Sequence, residues 1–308
     1  MSNFYSNRNI LFFLVIFTSQ FSTAQESTFK TSDGVELYLN AKGTGMPCLY
    51  IHNGPGTAGD GIEQFSSEML ERHFQMIYLD VRGVGKSSRP IDNNYSMERM
   101  IADCEEIRNH LGIKKWLVMG HSFSGTILMG YALRSQKSLK GMLMFNCTLD
   151  VVESLGTSWI PKACDLLGVT DLEYFNDHLI PLDNKVDSLL LLLKDNALAW
   201  QLSFATKVEE DMQKETYHAF PQLNNDFTKA ALKLPDYLVN FKIYSYKINI
   251  PVLFFYGQTD WTTGPDHHKG IDFPYMVKWP SDVGHMPFIE NKEDVEAAIV
   301  AYLKRFKL

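Results

Sequence analysis

The sequence predicts an α/β fold in which a mostly parallel, doubly wound sheet carries an inserted helical cap. In the first half of the chain, apolar strand-like segments alternate with helical segments, which is typical of parallel sheets covered by helices. Residues 147–247 then contain helical patterns alone, and apolar strands at 251–256 and 275–279 resume the sheet. We therefore expect a core formed by residues 25–146 and 248–308, with the cap over residues 147–247.

Each predicted element rests on a local pattern. Residues 29–42 are predicted to form an opening hairpin that turns at Asp33-Gly34. The elements that follow are strands at 48–52, 75–80, 115–120 and 141–146 and helices near 61–72, 96–111 and 123–135. Apolar residues at helical spacing from Val295 to Phe306 predict a terminal helix. The leucine run 189–193 is far too short to span a membrane, so we expect it to be buried in the cap.

The composition is typical of a single globular enzyme domain. The length of 308 residues suits one large domain or one domain with an insertion, and 45% hydrophobic residues are enough for a sizeable core. The net charge is −7 and there is no basic stripe, which argues against a nucleic-acid partner. The adjacent His267 and His268 are not spaced as metal ligands, so we expect them to be solvated. No metal or other cofactor is expected.

The first 24 residues have the pattern of a secretory signal peptide. A short polar start is followed by the apolar segment 10–17 and by small residues at Ser22-Thr23-Ala24. An uncleaved anchor is the alternative. We expect export, with cleavage near Ala24 and no stable membrane insertion afterwards.

Ser122 stands where a predicted strand turns sharply into a predicted helix. The strand 115–120 runs into Gly120-His-Ser-Phe-Ser-Gly125. Such a turn holds the side chain at its tip in a strained, exposed position, which is the geometry of a nucleophile elbow. The usual pattern is G-x-S-x-G; here Ser124 takes the last position and Gly125 follows it.

A nucleophilic serine needs a base and an orienting carboxylate, which on this kind of sheet follow it in the order acid, then histidine. Asp260 lies after the apolar strand 251–256, where ligand sites of open α/β sheets collect. His285 lies in the loop after the strand 275–279. We expect Ser122 to attack a carbonyl, His285 to take and return the proton, and Asp260 to fix the imidazole tautomer.

Three other carboxylates compete with Asp260 for the role of the acid. Asp266 and Asp272 lie farther along the same loop, and Asp282 lies too close to His285 in sequence for the usual arrangement.

Acyl transfer also needs an oxyanion hole, preferably of backbone N–H groups. One donor should be the amide of Phe123, directly after Ser122. The second should come from the loop His52-Asn-Gly-Pro-Gly56, because glycine lets the backbone approach a ligand and proline stiffens the loop. A plain turn is the alternative, since Gly-Pro-Gly is common turn material.

These motifs resemble those of the α/β-hydrolase family and, within it, of the proline iminopeptidases. The resemblance is carried, in the family's order, by residues 52–56, 80–88, 120–125, 257–260 and 284–285. It implies that Gly54 and Phe123 supply the oxyanion amides and that His52 contacts the substrate. The iminopeptidases have His-Gly-Gly-Pro-Gly at the first motif; Asn53 replaces the first glycine here, and asparagine tolerates a left-handed backbone well.

The run that begins at Asp80 resembles the family's D-x-R-G-x-G turn. We expect Asp80 and Arg82 to hold this turn together as an ion pair and not to take part in catalysis.

Substrate recognition matches the family less completely. Iminopeptidases hold a free amino terminus with acidic cap residues, commonly in a W-x-x-W-E segment, and the counterpart here is Trp200-Gln-Leu-Ser-Phe204. Phe204 thus stands where the family has a glutamate, and it cannot pair with a buried ammonium. The nearby Glu209, Glu210 and Asp211 either substitute for that glutamate or form a solvated helix face.

The four cysteines allow two interpretations. Cys48 and Cys104 fall on predicted core faces and are expected to pack as small hydrophobes. Cys147 and Cys164 could pair in an oxidising compartment, but the sequence does not establish the pairing.

Three functions remain at this point. The preferred one is an exported serine aminopeptidase that releases N-terminal proline or small residues. The second is a carboxylesterase or related acyl hydrolase with the same triad, and the third is a non-catalytic binding protein on this fold. The expected partner is a small peptide or ester substrate, and the oligomeric state is left open.

Overall fold

The computed structural model describes residues 25–52, 54, 60–208, 211 and 226–308. Its strands form one eight-stranded sheet in the order β1-β2-β4-β3-β5-β6-β7-β8. The strands are β1 (Gln25–Lys30), β2 (Glu36–Lys42), β3 (Met46–Ile51), β4 (Phe74–Leu79), β5 (Trp116–His121), β6 (Leu139–Phe145), β7 (Val252–Gly257) and β8 (Met276–Ser281). The pairs β1–β2 and β2–β4 are antiparallel, and all other neighbours are parallel. The predicted mostly parallel sheet is confirmed.

Helices alternate with these strands along the chain. Those of the first half are α1 (Asp60–His73), α2 (Met97–His110) and α3 (Ser124–Ser135). Between β6 and β7 the described α-helices are α4 (Val151–Glu153), α5 (Ile160–Leu167), α6 (Glu173–Asn176), α7 (Leu182–Asp195) and α8 (Asp226–Ala231). The chain closes with α9 (Pro287–Glu290) and α10 (Lys292–Phe306).

The central strands are apolar because helices cover both faces of the sheet. Every residue of β5 is buried. Trp116 and Val118 point into a cluster that includes residues of α2 and α3, whereas Leu117 and Met119 point into a cluster that includes residues of α1 and α10. A strand with two buried faces has no polar side to show, which explains the near-continuous apolar runs of the sequence.

The turn after β4 is held by a different ion pair from the one predicted. Arg82 is fully buried, and it pairs with Asp103 of α2 at 2.6 Å and with Asp33 of the β1–β2 turn at 2.9 Å. Asp80 instead accepts the main-chain N–H of Lys86 at 2.9 Å. The predicted pairing of Asp80 with Arg82 is therefore wrong, because the guanidinium points away from its own turn toward α2.

The helices between β6 and β7 build a cluster of their own. Its buried members include Trp159, Ile160, Leu189 and Leu193. The expectation that the whole leucine run is buried is wrong, because Leu191 and Leu192 are 62% and 45% exposed. Residues three and four apart share one face of a helix, so Leu189 and Leu193 are fully buried in the cluster and Leu190 packs against its edge.

No helix in the described part of the chain is long and apolar enough to cross a membrane. All four cysteines lie in that part, and each is a buried free thiol.

Candidate active site

Ser122 occupies the tight turn between β5 and α3. Its backbone has φ +61°, a left-handed conformation that L-residues other than asparagine and aspartate rarely adopt. Strain of this kind persists only where the surrounding structure fixes it, and it is a mark of functional sites. Ser124 supports the turn, because its Oγ donates to the carbonyl of His121 at 2.9 Å.

Gly125 explains how the turn survives the departure from the usual motif. A Cβ at this position would lie 2.5 Å from the carbonyl oxygen of Thr148 and 2.7 Å from the Cβ of Cys147. Both atoms belong to the loop after β6, so the first turn of α3 packs directly on that loop. Glycine is therefore required at position 125, while a small serine is accepted at 124.

Ser122, His285 and Asp260 form one hydrogen-bonded chain. The Oγ of Ser122 lies 2.8 Å from Nε2 of His285, and Nδ1 of that ring lies 3.0 Å from Oδ2 of Asp260. The three residues are 8%, 6% and 1% exposed. The structure thus brings together the serine, histidine and aspartate that the sequence singled out, and all three are buried.

Asp260 is held by donors from several directions. Its Oδ1 accepts the main-chain N–H groups of Thr262 at 2.9 Å and Thr263 at 3.0 Å. Its Oδ2 accepts the hydroxyl of Thr263 at 2.5 Å and Nδ2 of Asn146 at 2.9 Å. Burial alone would raise the pKa of this carboxyl, but the ring of His285 and these hydrogen bonds lower it to about 2. The carboxylate is therefore charged near neutral pH.

Asn146 is a site residue that the sequence analysis missed. It directly follows β6, is 1% exposed and has φ +46°. Its Nδ2 donates to Oδ2 of Asp260 and also to the carbonyl of Gly284 at 2.8 Å. It thereby joins the loop of the acid to the loop of His285. Its position at the carboxyl end of an apolar strand was the available signal.

Two further buried histidines lie near the triad. The Nε2 of His121 donates to the carbonyl of His285 at 2.7 Å. Nε2 of His267 accepts the main-chain N–H of Leu149 at 2.8 Å. Burial lowers the pKa of each ring to about 3, so both stay neutral near pH 7. The expectation that His267 is solvated is wrong, because it is 5% exposed and closes the loop that carries Asp260.

The family model for the α/β hydrolase fold matches residues 47–292. The chain belongs to this family. It is 33% identical to a proline iminopeptidase from Neisseria meningitidis over 115 residues, which is 35% of this chain and 36% of that protein. It is 28% identical to a 2-hydroxymuconate semialdehyde hydrolase from Pseudomonas putida over 149 residues, 45% of this chain and 51% of that protein. The chain thus spans about a third to a half of the length of these curated relatives.

Solved structures share the fold over nearly the whole chain. A proline iminopeptidase-related protein from Thermus thermophilus superimposes with a TM-score of 0.75 at 18% identity, covering 92% of this chain and 98% of that one. An esterase from Thermogutta terrifontis gives 0.68 at 19% identity, covering 93% and 100%.

In this α/β hydrolase the two predicted oxyanion residues lie at the ends of adjacent parallel strands. Gly54 follows β3 with φ +121°, a conformation open to glycine. Phe123 directly follows Ser122, and its ring packs edge-on against Phe227 at 6.1 Å. Asn53 and residues 55–59 of the predicted loop lie outside the described residues.

The predicted substrate residues fall into three groups. His52 is 3% exposed, and its Nε2 accepts the main-chain N–H of Val81 at 3.3 Å, a contact that supports the loop. Trp200 and Phe204 lie beside the catalytic loop and pack with Met286 and other apolar residues. Glu209 and Glu210 lie outside the described residues.

The rival acids are placed differently from Asp260. Asp266 is exposed and forms an ion pair with Lys269 at 2.7 Å. Asp272 and Asp282 are exposed as well. Within the described ranges, no group of three or more His, Cys, Asp or Glu side chains could hold a metal ion.

The segment that carries Trp200 and Phe204 is hydrogen-bonded to the loops that carry Asp260 and His285. The carbonyl of Ser203 accepts the main-chain N–H of His285 at 2.7 Å. The hydroxyl of Thr262, two residues after Asp260, donates to the carbonyl of Leu202 at 3.1 Å. We call the cluster of Phe204, Met286 and Ile289, with Trp200 and Phe65 packed against it, the apolar wall. The segment that contributes Trp200 and Phe204 to this wall is therefore hydrogen-bonded to the loops that carry the triad.

Proposed function

We propose that this α/β hydrolase cleaves its substrate through an acyl-enzyme on Ser122. The observation that carries the proposal is the continuous chain of contacts from Ser122 through His285 to Asp260, at 2.8 and 3.0 Å. This arrangement lets the imidazole accept the serine proton while the buried carboxylate stabilises the imidazolium that forms.

The steps follow from these positions. The Oγ of Ser122 attacks the carbonyl carbon as its proton passes to Nε2 of His285, and the developing oxyanion is held by the amides of Gly54 and Phe123. His285 then gives the proton to the leaving alcohol or amine, which departs. A water, deprotonated by the same Nε2, attacks the acyl-enzyme, and Ser122 leaves with the returned proton.

We propose an aminopeptidase that releases N-terminal proline or small residues as the first substrate class. The sequence similarity to proline iminopeptidases and the motif order support it. The carboxylates of Asp260 and Glu290 are both engaged by main-chain N–H groups. A substrate ammonium would need another carboxylate partner, and we propose Glu209 and Glu210 for this role from their place in the sequence.

A carboxylesterase is the second candidate, and the wall beside His285 favours it. Phe204 is 7% exposed and clusters with Met286 and Ile289, with Trp200 and Phe65 packed against them. We propose that the apolar side chains of this cluster contact the acyl chain of an ester.

The deciding experiment uses purified residues 25–308 on two matched substrate panels. One panel holds free-amine aminoacyl amides, including proline, beside their N-blocked versions; the other holds short- and medium-chain esters. An aminopeptidase should cleave the free-amine amides but not their N-blocked versions. Turnover of the esters alone would identify an esterase. Ser122→Ala should lower kcat about a thousandfold or more on the active panel. Unchanged turnover in that variant would refute the acyl-enzyme.

We also propose that the chain is exported and cleaved near Ala24. The segment 1–24 has a polar start, an apolar centre and a small-residue end. Mass spectrometry of the protein from its native cells should find Gln25 as the first residue; an intact Met1 would contradict cleavage.

A further inference from the structure

Glu290 places its carboxylate on the main chain at both sides of His285. It is the last residue of α9, the short helix that follows the histidine. Its Oε1 accepts the N–H of Met286 at 2.9 Å, and its Oε2 accepts the N–H of Gly284 at 2.8 Å. The two residues that flank the histidine are thus bound by one side chain.

The same carboxylate reaches the segment that forms the apolar wall. Its Oε2 also accepts the N–H of Ala205 at 3.1 Å. Ala205 directly follows Phe204, and Ser203 of the same segment accepts the N–H of His285. Glu290 therefore links the histidine loop to the wall through a second, independent contact.

Gly284 allows this close contact because it has no side chain. A Cβ at that position would lie 2.8 Å from the carbonyl oxygen of Ser203 and 3.1 Å from Oε2 of Glu290. Any larger residue would push the carboxylate or the wall segment away from the loop. The glycine therefore serves the approach of these two groups, whereas no positive φ requires it.

Helix capping explains only one of these three contacts. Met286 is the N-cap of the one-turn helix α9, so the bond from its N–H to Glu290 also caps that helix, whereas Gly284 and Ala205 lie outside it. Hydrogen bonds from main-chain N–H groups to a carboxylate are charge-assisted and roughly twice as strong as neutral ones. They fix a loop whose histidine must be held within about 0.5 Å of its working position.

We propose that Glu290 is a positioning residue that sets the orientation of His285 and couples it to the docking of the segment 200–205. This inference rests on the proposed acyl-enzyme function. It adds that the base is held through its main chain from the cap side, in addition to the contact between its ring and Asp260.

Glu290→Gln is the test variant, because it keeps the size of the side chain but turns one acceptor oxygen into a donor that faces N–H groups. Glu293→Gln is the matched control, since Glu293 lies three residues farther on and is exposed. We measure kcat and KM on an activated ester, normalised to sites titrated with a fluorophosphonate. A proton NMR spectrum records the downfield resonance of the His285 ring N–H that is bound to Asp260.

Glu290→Gln should lower kcat per titrated site by about 10- to 100-fold, with a smaller change in KM, since misplacement of a catalytic group by about 1 Å has an effect of this size. The downfield resonance should shift or broaden. Glu290→Asp should recover part of the kcat, because it keeps the charge with a shorter reach, and the control should match the wild type.

An unchanged resonance together with a kcat within twofold of the wild type would overturn the positioning role. A lower melting temperature with normal kcat per titrated site would overturn it as well, because that outcome describes structural support alone. If Ser122→Ala leaves turnover intact, the acyl-enzyme fails instead; the resonance still decides whether Glu290 orients the ring.

Discussion

Replacing Asn146 by aspartate should disable the acid of the triad without changing its shape. Its Nδ2 lies 2.9 Å from Oδ2 of Asp260 and 2.8 Å from the carbonyl of Gly284, and the residue is 1% exposed. In Asn146→Asp an oxygen takes the place of that donor and faces two acceptors. Two buried carboxylates this close cannot both stay ionised, so one of them must take up a proton.

The size of the effect follows from the bonds that are lost. A hydrogen bond to a charged group contributes about 1.5–3 kcal/mol, and an unpaired buried charge destabilises by about 3–5 kcal/mol. We expect the free energy of unfolding to fall by about 3 kcal/mol. A similar loss of transition-state stabilisation corresponds to a drop in kcat of about 100-fold.

The assay is urea unfolding together with kcat at pH 7 on the substrate that the panels identify. Asn146→Gly and Asn146→Ala are the controls, because both remove the amide but only alanine is strained at φ +46°. Their difference in the free energy of unfolding should be about 1–2 kcal/mol, with alanine the less stable. A kcat within threefold of the wild type for Asn146→Asp would refute the idea that Asn146 holds the acid.

Three further predictions concern the elbow, the buried rings and the apolar wall. Gly125→Ala should lower the free energy of unfolding by about 1–3 kcal/mol, because its Cβ would meet the carbonyl of Thr148 at 2.5 Å; Gly156→Ala, with nothing within 4 Å, should not, as urea unfolding will tell. The unfolded chain protonates His121 and His267 near pH 6.5 but the folded one only near 3, so stability should fall as the pH drops through this window, by about 1.4 kcal/mol per pH unit for each ring. His121→Gln should about halve the decline that the two rings cause between pH 6.5 and 5, and an equally steep decline in the variant would contradict the assignment. Phe204→Ala should raise KM for medium-chain esters several-fold, whereas Val208→Ala, at an exposed position four residues farther on, should leave it unchanged; equal KM values would remove the wall from substrate binding.

Much of the fold could be predicted because the central strands have a recognisable sequence pattern. A strand covered on both faces is apolar throughout, and the run before Ser122 is of this kind. The predicted strands and helices of the core therefore agree with the observed elements to within a few residues. Ser122, Asp260 and His285 could be located because each follows such a strand, and polar residues at strand ends meet at one edge of a parallel sheet.

The contacts that hold the site together could not be read in the same way. Arg82 finds Asp103 and Asp33, which come from a helix and a turn far from it in sequence. Asn146 bridges two loops that lie more than a hundred residues farther along the chain. Such partners depend on which loops the strand order of the sheet places side by side. The local sequence pattern does not predict that order.

Burial within helices and loops was a second limit. Leu191 and Leu192 are apolar yet exposed, because helical phase decides which leucines of a run face inward. His267 is polar yet buried, since its ring satisfies the N–H of Leu149 and lies within reach of the Ser154 hydroxyl at 3.3 Å. In both cases the residue type alone predicted the wrong burial.

The burial of the four thiols should protect them from oxidation and alkylation while the protein is folded. Burial raises the pKa of Cys48, Cys104, Cys147 and Cys164, so the reactive thiolate form is suppressed in each. None of them contributes a cross-link to the fold. Neither a thiol reductant nor an alkylating reagent should change its activity while it is folded.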